Sequence, residues 1–206
     1  MLAKKVCSLA LIPVLIALFA FVASAAPGDV LFTDDFSNGL QNWIFDTGTD
    51  ANPSNFSADA AQKALVFSPV GFGNAFAGSE NLTDYALEGD VTITEYPQYG
   101  NLRFFVRMNE LWYGYGVSFI EDHVYIHRFD GNWDVNTLLA EADTGIPLNT
   151  KTHVRVEVKG NQITVFVNGN QVAQAEDPDN VYPAGRFGFR FDYVSGQVAN
   201  IKATSL

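Results

Sequence analysis

Between residues 152 and 174 the apolar residues fall at every second position. Val154, Val156 and Val158 alternate with Arg155, Glu157 and Lys159. Ile163, Val165 and Val167 resume the pattern after Gly160-Asn161, and Asn168-Gly169 follows. Residues two apart share one face of a strand. Gly-Asn and Asn-Gly pairs readily take the positive φ of tight hairpin turns. The stretch therefore predicts a β-meander with one buried face. Similar runs occupy 85–94, 102–108, 113–120, 123–129, 185–192 and 197–204, while 46–62 reads as a polar, turn-rich entry. Residues 30–36 are expected to pair with the last of these strands. No segment after residue 25 keeps a helical period. About ten to twelve short antiparallel strands without helices predict an all-β fold, a two-sheet β-sandwich of jelly-roll type.

The first residues have a different character. Lys4 and Lys5 precede an apolar run from Leu9 to Val22, and Ala23-Ser24-Ala25 closes it. A basic start, a short apolar core and an A-x-A site make a secretory signal peptide. Residues 1–25 are thus expected to be removed, leaving one domain over 26–206 that is secreted or periplasmic. The leader holds the only cysteine, Cys7, so the mature domain has no disulfide and must stand on its core. It also holds two lysines and no acid, so its removal shifts the formal charge from −11 to −13. That balance argues against nucleic acid and against anionic membranes as partners, and leaves glycans open.

Alternation also assigns faces. Phe104, Val106 and Met108 share one face of their strand, and Arg103, Phe105 and Arg107 the other. Phe187, Phe189 and Phe191 oppose Arg186, Gly188, Arg190 and Asp192; Val124 and Ile126 oppose Tyr125, His127 and Phe129. With the aliphatic faces inward, Arg107, Tyr125, His127 and Arg190 are expected on the outer face of a sheet.

Several segments together carry a family resemblance. They are Leu31-Phe32-Thr33-Asp34-Asp35-Phe36 with Trp43, then Tyr85-Ala86-Leu87-Glu88-Gly89-Asp90-Val91, Phe105-Val106-Arg107 and Tyr113-Gly114-Tyr115-Gly116-Val117. Residues 153–160, Val165-Phe166-Val167-Asn168-Gly169, Gly185-Arg186-Phe187-Gly188-Phe189-Arg190 and Val198-Ala199-Asn200-Ile201 complete the set. The chain resembles the concanavalin A-like lectin/glucanase superfold, in its laminin-G-like and DUF1080 (3-keto-disaccharide hydrolase-like) branches. The resemblance implies sugar recognition on a concave sheet, with Arg107, Tyr115 and Arg190 at the matching positions. Asn168 departs from it, standing where such domains often carry Asp.

A glycan site needs rings to stack on sugar faces and a few directed polar groups. Trp112, Tyr113, Tyr115, Tyr125 and Trp133 are candidate platforms, and Arg107, His127 and Arg190 candidate donors. The hydrolases of this superfold share Glu-x-Asp-x-x-Glu on one strand face, supplying nucleophile and acid. Here Glu88-Gly89-Asp90 begins the motif, but Ile93 takes the third position. A sugar-processing enzyme would then draw on Asp192, Glu110, Glu121 or Asp130, and an adhesion module of laminin-G-like type would bind protein instead.

Other chemistries fit less well. Asp-Thr-Gly occurs at Asp46-Thr47-Gly48 and Asp143-Thr144-Gly145, without the two-lobed repeat an aspartic protease needs. His123 and His127 lie about 13 Å apart on a strand, too far to share a metal ion. Asp34 and Asp35, with backbone carbonyls and Asn200, are candidate ligands for a structural Ca²⁺; no other cofactor is expected. There is no G-x-S-x-G elbow. Asn55-Phe56-Ser57 and Asn81-Leu82-Thr83 are glycosylation sequons.

Overall fold

The computed structural model describes residues 25–45, 55–68, 71–109, 112–132 and 134–206. Residues 1–24 of the leader, Asp46-Thr47-Gly48, Glu110 and Trp133 lie outside the described residues. Fifteen strands follow in order: β1 (Val30–Asp34), β2 (Ile44–Phe45), β3 (Phe56–Asp59), β4 (Ala64–Phe67), β5 (Phe72–Ala77), β6 (Tyr85–Glu95), β7 (Asn101–Met108), β8 (Tyr113–Ile120), β9 (His123–Asn132), β10 (Val135–Ala142), β11 (Thr152–Lys159), β12 (Gln162–Val167), β13 (Asn170–Glu176), β14 (Arg186–Asp192) and β15 (Ser195–Ser205). They form two antiparallel sheets. One has eight strands, ordered β13-β12-β11-β6-β15-β4-β3 with β1 also on β15; the other has seven, ordered β10-β9-β8-β7-β14-β5-β2.

The meander forms as its alternation dictates. Lys159 faces Gln162 across the first turn and Val167 faces Asn170 across the second. Asn168 and Gly169 both have positive φ, 49° and 80°, as a two-residue hairpin requires. Val154, Val156, Val158 and Val165 are fully buried, as are Phe104, Val106 and Val117 of the other sheet. Each such side chain contributes about 1.5–3 kcal/mol on leaving water, and no disulfide assists among the described residues. As expected, β1 pairs with β15, with Asp34 opposite Ile201.

One departure from alternation repositions the edge of the core. Arg107 adopts φ 49°, and the pairing of β14 with β7 shifts register between Arg186 and Gly188. This bulge inserts one residue and reverses the facing of the two that follow Val106. Met108, expected beside Phe104 and Val106, instead clusters with Phe105 and Phe129 on the outer side of the sheet. Arg107, expected outside, is 2 % exposed. Two glycines make room for it. A Cβ at Gly114 would lie 2.5 Å from the Arg107 carbonyl oxygen, and one at Gly185 would lie 2.3 Å from its carbonyl carbon.

Candidate functional site

The outer face of the seven-stranded sheet gathers side chains from five neighbouring strands. Register places Tyr125, Ser118, Arg103, Arg190 and Asn74 in one row across β9, β8, β7, β14 and β5. The next row runs His127, Gly116, Phe105, Gly188 and Phe76. Its two glycines are covered by their neighbours. A Cβ at Gly116 would stand 2.7 Å from the Phe129 ring and 2.8 Å from Arg103 Cδ, and one at Gly188 2.7 Å from the Phe76 ring.

Two arginines are set into this aromatic floor. Arg103 lies over the rings of Phe129 (4.9 Å) and Phe105 (5.7 Å), and its Nε donates to Ser118 Oγ at 2.6 Å. Arg190 lies over Phe72 (4.6 Å) and Trp112 (4.8 Å), and its Nη1 donates to Asn74 Oδ1 at 3.2 Å. Arginine suits such stacking because its guanidinium is planar and weakly hydrated. Arg190 Nε stands 2.7 Å from Asp192 Oδ1, an ion pair whose angle falls outside hydrogen-bond geometry. Burial, reinforced by the neighbouring Arg190 charge, lowers the Arg103 pKa to about 10, against the opposing pull of Asp192. Arg103 therefore stays cationic at neutral pH.

The rim is aromatic. Trp112, in the connection from β7 to β8, has φ 62° and sets its ring edge-on to Phe105 (5.5 Å) and Phe129 (6.2 Å). Along β9 the rings of His123, Tyr125, His127 and Phe129 form a ladder with steps of 6.0, 6.0 and 5.9 Å. Burial, then the Arg103 charge, lowers the His127 pKa to about 4, so its imidazole is neutral. Four buried side-chain atoms among the described residues lie outside hydrogen-bond geometry: Asn101 Oδ1, His127 Nδ1, Arg190 Nε and Asp192 Oδ1. All four belong to residues of this one face.

Of the residues singled out from the sequence, the fold brings Trp112, Tyr125, His127 and Arg190 together here. Arg107 does not join them. The bulge sends it to the end of the sandwich, where it donates to the carbonyls of Thr83 (2.7 Å) and Gly160 (2.6 Å) and pairs with Asp84 at 2.8 Å. Tyr115 also falls elsewhere. It points into the core, 1 % exposed, and its hydroxyl donates to buried Asp177 at 2.8 Å. Tyr113 packs against Tyr182 at 6.1 Å. Trp133 lies outside the described residues. Sequence reasoning placed Arg103 and Phe105 on this face without counting them as site residues, and it passed over Asn101, Asn74 and Phe72. The signal for Arg103 was its register opposite Arg190, which alternation alone does not supply.

The carboxylates considered for catalysis are dispersed. Glu88 and Asp90 lie on the outer face of the other sheet. There Glu88 pairs with Arg155 at 2.7 Å, and Asp90 with His153 at 2.8 Å and Lys151 at 3.1 Å. Asp130 accepts from Tyr182 (2.7 Å) and pairs with Arg128 (3.2 Å); Glu121 is exposed in the turn from β8 to β9. On the outer face of the seven-stranded sheet, Asp192 of β14 and Glu141 of β10 stand four strand spacings apart. At about 4.8 Å per spacing that is about 19 Å, well beyond the separation at which two carboxylates cleave one glycosidic bond.

The calcium ligands expected from the sequence do not assemble. Asp34 already accepts from the amide of Phe36 (2.8 Å), Trp43 Nε1 (3.0 Å) and Asn42 Nδ2 (3.3 Å). Asn200 turns to Asp90 at 2.8 Å. No group of three or more His, Cys, Asp or Glu side chains suited to a metal ion occurs among the described residues.

Two antiparallel sheets packed face to face form a jelly-roll β-sandwich, the fold shared by concanavalin A-like lectins and glucanases. The chain belongs to the family of the 3-keto-alpha-glucoside-1,2-lyase-like domain, whose model matches residues 31–201. Among solved structures it is similar to the carbohydrate-binding module CBM66 from Bacillus subtilis, with a TM-score of 0.66 at 20% identity, covering 81% of this chain and 97% of that one. It is similar to the Emp47p carbohydrate recognition domain, with a TM-score of 0.63 at 14% identity, covering 89% and 99%. A glycoside hydrolase family 16 endo-glucanase from Bacteroides ovatus aligns with a TM-score of 0.57 at 13% identity, covering 82% and 87%. A search among curated proteins finds no match.

Proposed function

We propose that the outer face of the seven-stranded sheet binds a glycan. The observation that carries this reading is the floor itself, in which Arg103 and Arg190 are set over the rings of Phe129, Phe105, Phe72 and Trp112 on one outer sheet face. The apolar face of a pyranose stacks on Trp112 or Tyr125, while Asn101, His127 and Arg190 orient it. The carbohydrate-binding names of the CBM66 and Emp47p relatives agree with this reading. Residues 1–25 serve as an export leader in it, so glycan is met outside the cytoplasm; N-terminal sequencing of the exported product checks that step. Calorimetric titration with a panel of oligosaccharides tests the binding. Trp112→Ala is expected to weaken the tightest interaction at least tenfold, whereas Tyr113→Phe leaves it unchanged. Absence of binding across the panel, or full affinity in Trp112→Ala, sinks the assignment.

A second reading is favoured by the family match, namely action on a 3-keto-α-glucoside. A 1,2-elimination removes the proton at C2, made acidic by the C3 carbonyl, and expels the group at C1 to leave a C1=C2 double bond. It needs one base and a cation beside the carbonyl oxygen, not two facing carboxylates. His127 beside Arg103 is the pair on this face that fits those roles. Incubation with a 3-keto disaccharide, followed by absorbance of the conjugated enone, separates catalysis from binding alone.

A further inference from the structure

We infer that the glycan bound on this face carries a carboxylate, held end-on by the guanidinium of Arg103; this rests on the binding role proposed above. Arg103 and Arg190 are register neighbours on β7 and β14, both 8 % exposed, with Asp192 the one carboxylate in contact with either among the described residues. Asp192 pairs with Arg190 at 2.7 Å. Arg103 uses Nε on Ser118 and its flat faces on Phe129 and Phe105, leaving the edge formed by its two Nη nitrogens with no protein acceptor among the described residues. A buried cation is ordinarily paired. An unpaired one set among aromatic rings on the outer face of a sheet marks a place for an anion.

The surroundings leave that charge standing. His127 on β9, whose pKa the Arg103 charge helps to lower, is neutral, and Arg186 at the far end of β14 is taken by Glu80 at 2.7 Å. Glu141 lies at the β10 edge opposite Tyr125, three strands from Arg103, and His123 sits between Asp122 (2.7 Å) and Asp143 (3.4 Å). The floor thus carries one surplus positive charge within a chain of formal charge −11. A guanidinium edge matches the two oxygens of a carboxylate in plane, with two parallel N–H donors. A sugar acid offers that group beside the hydroxyls and the apolar ring face that the rest of the floor accommodates.

The test compares one sugar with and without its charge. Calorimetric titration with oligogalacturonate is set against the same oligomer fully methyl-esterified, at low and high NaCl, using the exported chain. The free acid is expected to bind at least tenfold more tightly than the ester, and only the acid to lose affinity with salt. Arg103→Gln is expected to weaken the acid at least tenfold and to remove the salt dependence of whatever binding remains, with circular dichroism confirming the fold. Equal affinities for acid and ester in the native protein overturn the inference and leave glycan binding intact. Failure of acid, ester and all neutral oligosaccharides to bind overturns both. The acid–ester comparison needs no variant, so a misfolded Arg103→Gln does not shield the inference.

Discussion

His127 shows how one side chain ties the face to the stability of the domain. Its pKa falls from 6.5 to about 4 because burial and then Arg103 disfavour the imidazolium. Between those values the unfolded chain binds a proton that the folded chain does not. Folding stability therefore declines as pH drops from about 6.5 to 4 and is fully present above that window. His127→Gln is expected to flatten this slope. Urea midpoints measured at several pH values check it, and an unchanged slope in the variant rules out His127 as the source. Asp90 titrates outside this window. Burial works to raise its pKa, but His153, Asn200 and Lys151 outweigh that and hold it below 3.8, so its contribution is lost only in stronger acid.

Among the elements, β7 is where the face is decided. Its bulge at Arg107 depends on close backbone approach from both neighbouring strands. Gly185→Ala is expected to destabilise the domain by about 2–4 kcal/mol, since backbone in place of a flexible side chain would have to move. Chemical denaturation measures that loss, and a cost near that of an ordinary surface change removes the bulge argument. The same element explains what the sequence made legible. Alternation gave the core faces of β9, β11, β12 and β14 directly, because a period of two needs no partner to be read. Arg107 and Met108 were misplaced because a bulge is a property of pairing between strands, and a positive φ at arginine leaves no trace in composition. Tyr115 was misplaced for another reason. Its hydroxyl meets Asp177, sixty-two positions away, so a polar tip in the core is satisfied by a contact no local pattern announces. β5 escaped notice because six residues rich in Ala, Gly and Asn carry little strand signature, and β4 because four residues, Ala-Leu-Val-Phe, are too few to show a period. With β5 went Phe72 and Asn74, half of the cradle around Arg190.

For the whole molecule, the pairing of β1 with β15 is the closing contact. The amide of Gly28 donates to the Ser205 carbonyl at 2.9 Å, and the amide of Ser205 to the Asp29 carbonyl at 3.0 Å. Joining residue 206 to residue 26 through a short glycine linker, and opening the exposed turn between Ala61 and Gln62, is expected to give a permuted chain with the same fold and the same glycan affinity. Circular dichroism and titration check both, and a collapsed or non-binding permutant shows that the order of assembly matters. The adjacency of residues 26 and 206 also has a consequence for display. Both flank paired strands of the eight-stranded sheet, while the arginine-aromatic floor lies on the outer face of the other. Tethered at either end to a surface, to a cell envelope or to copies of itself, the sandwich would keep its arginine-aromatic floor clear of the attachment. With glycan bound there as proposed, several floors on one support would act by avidity, which multiplies affinity without adding a contact.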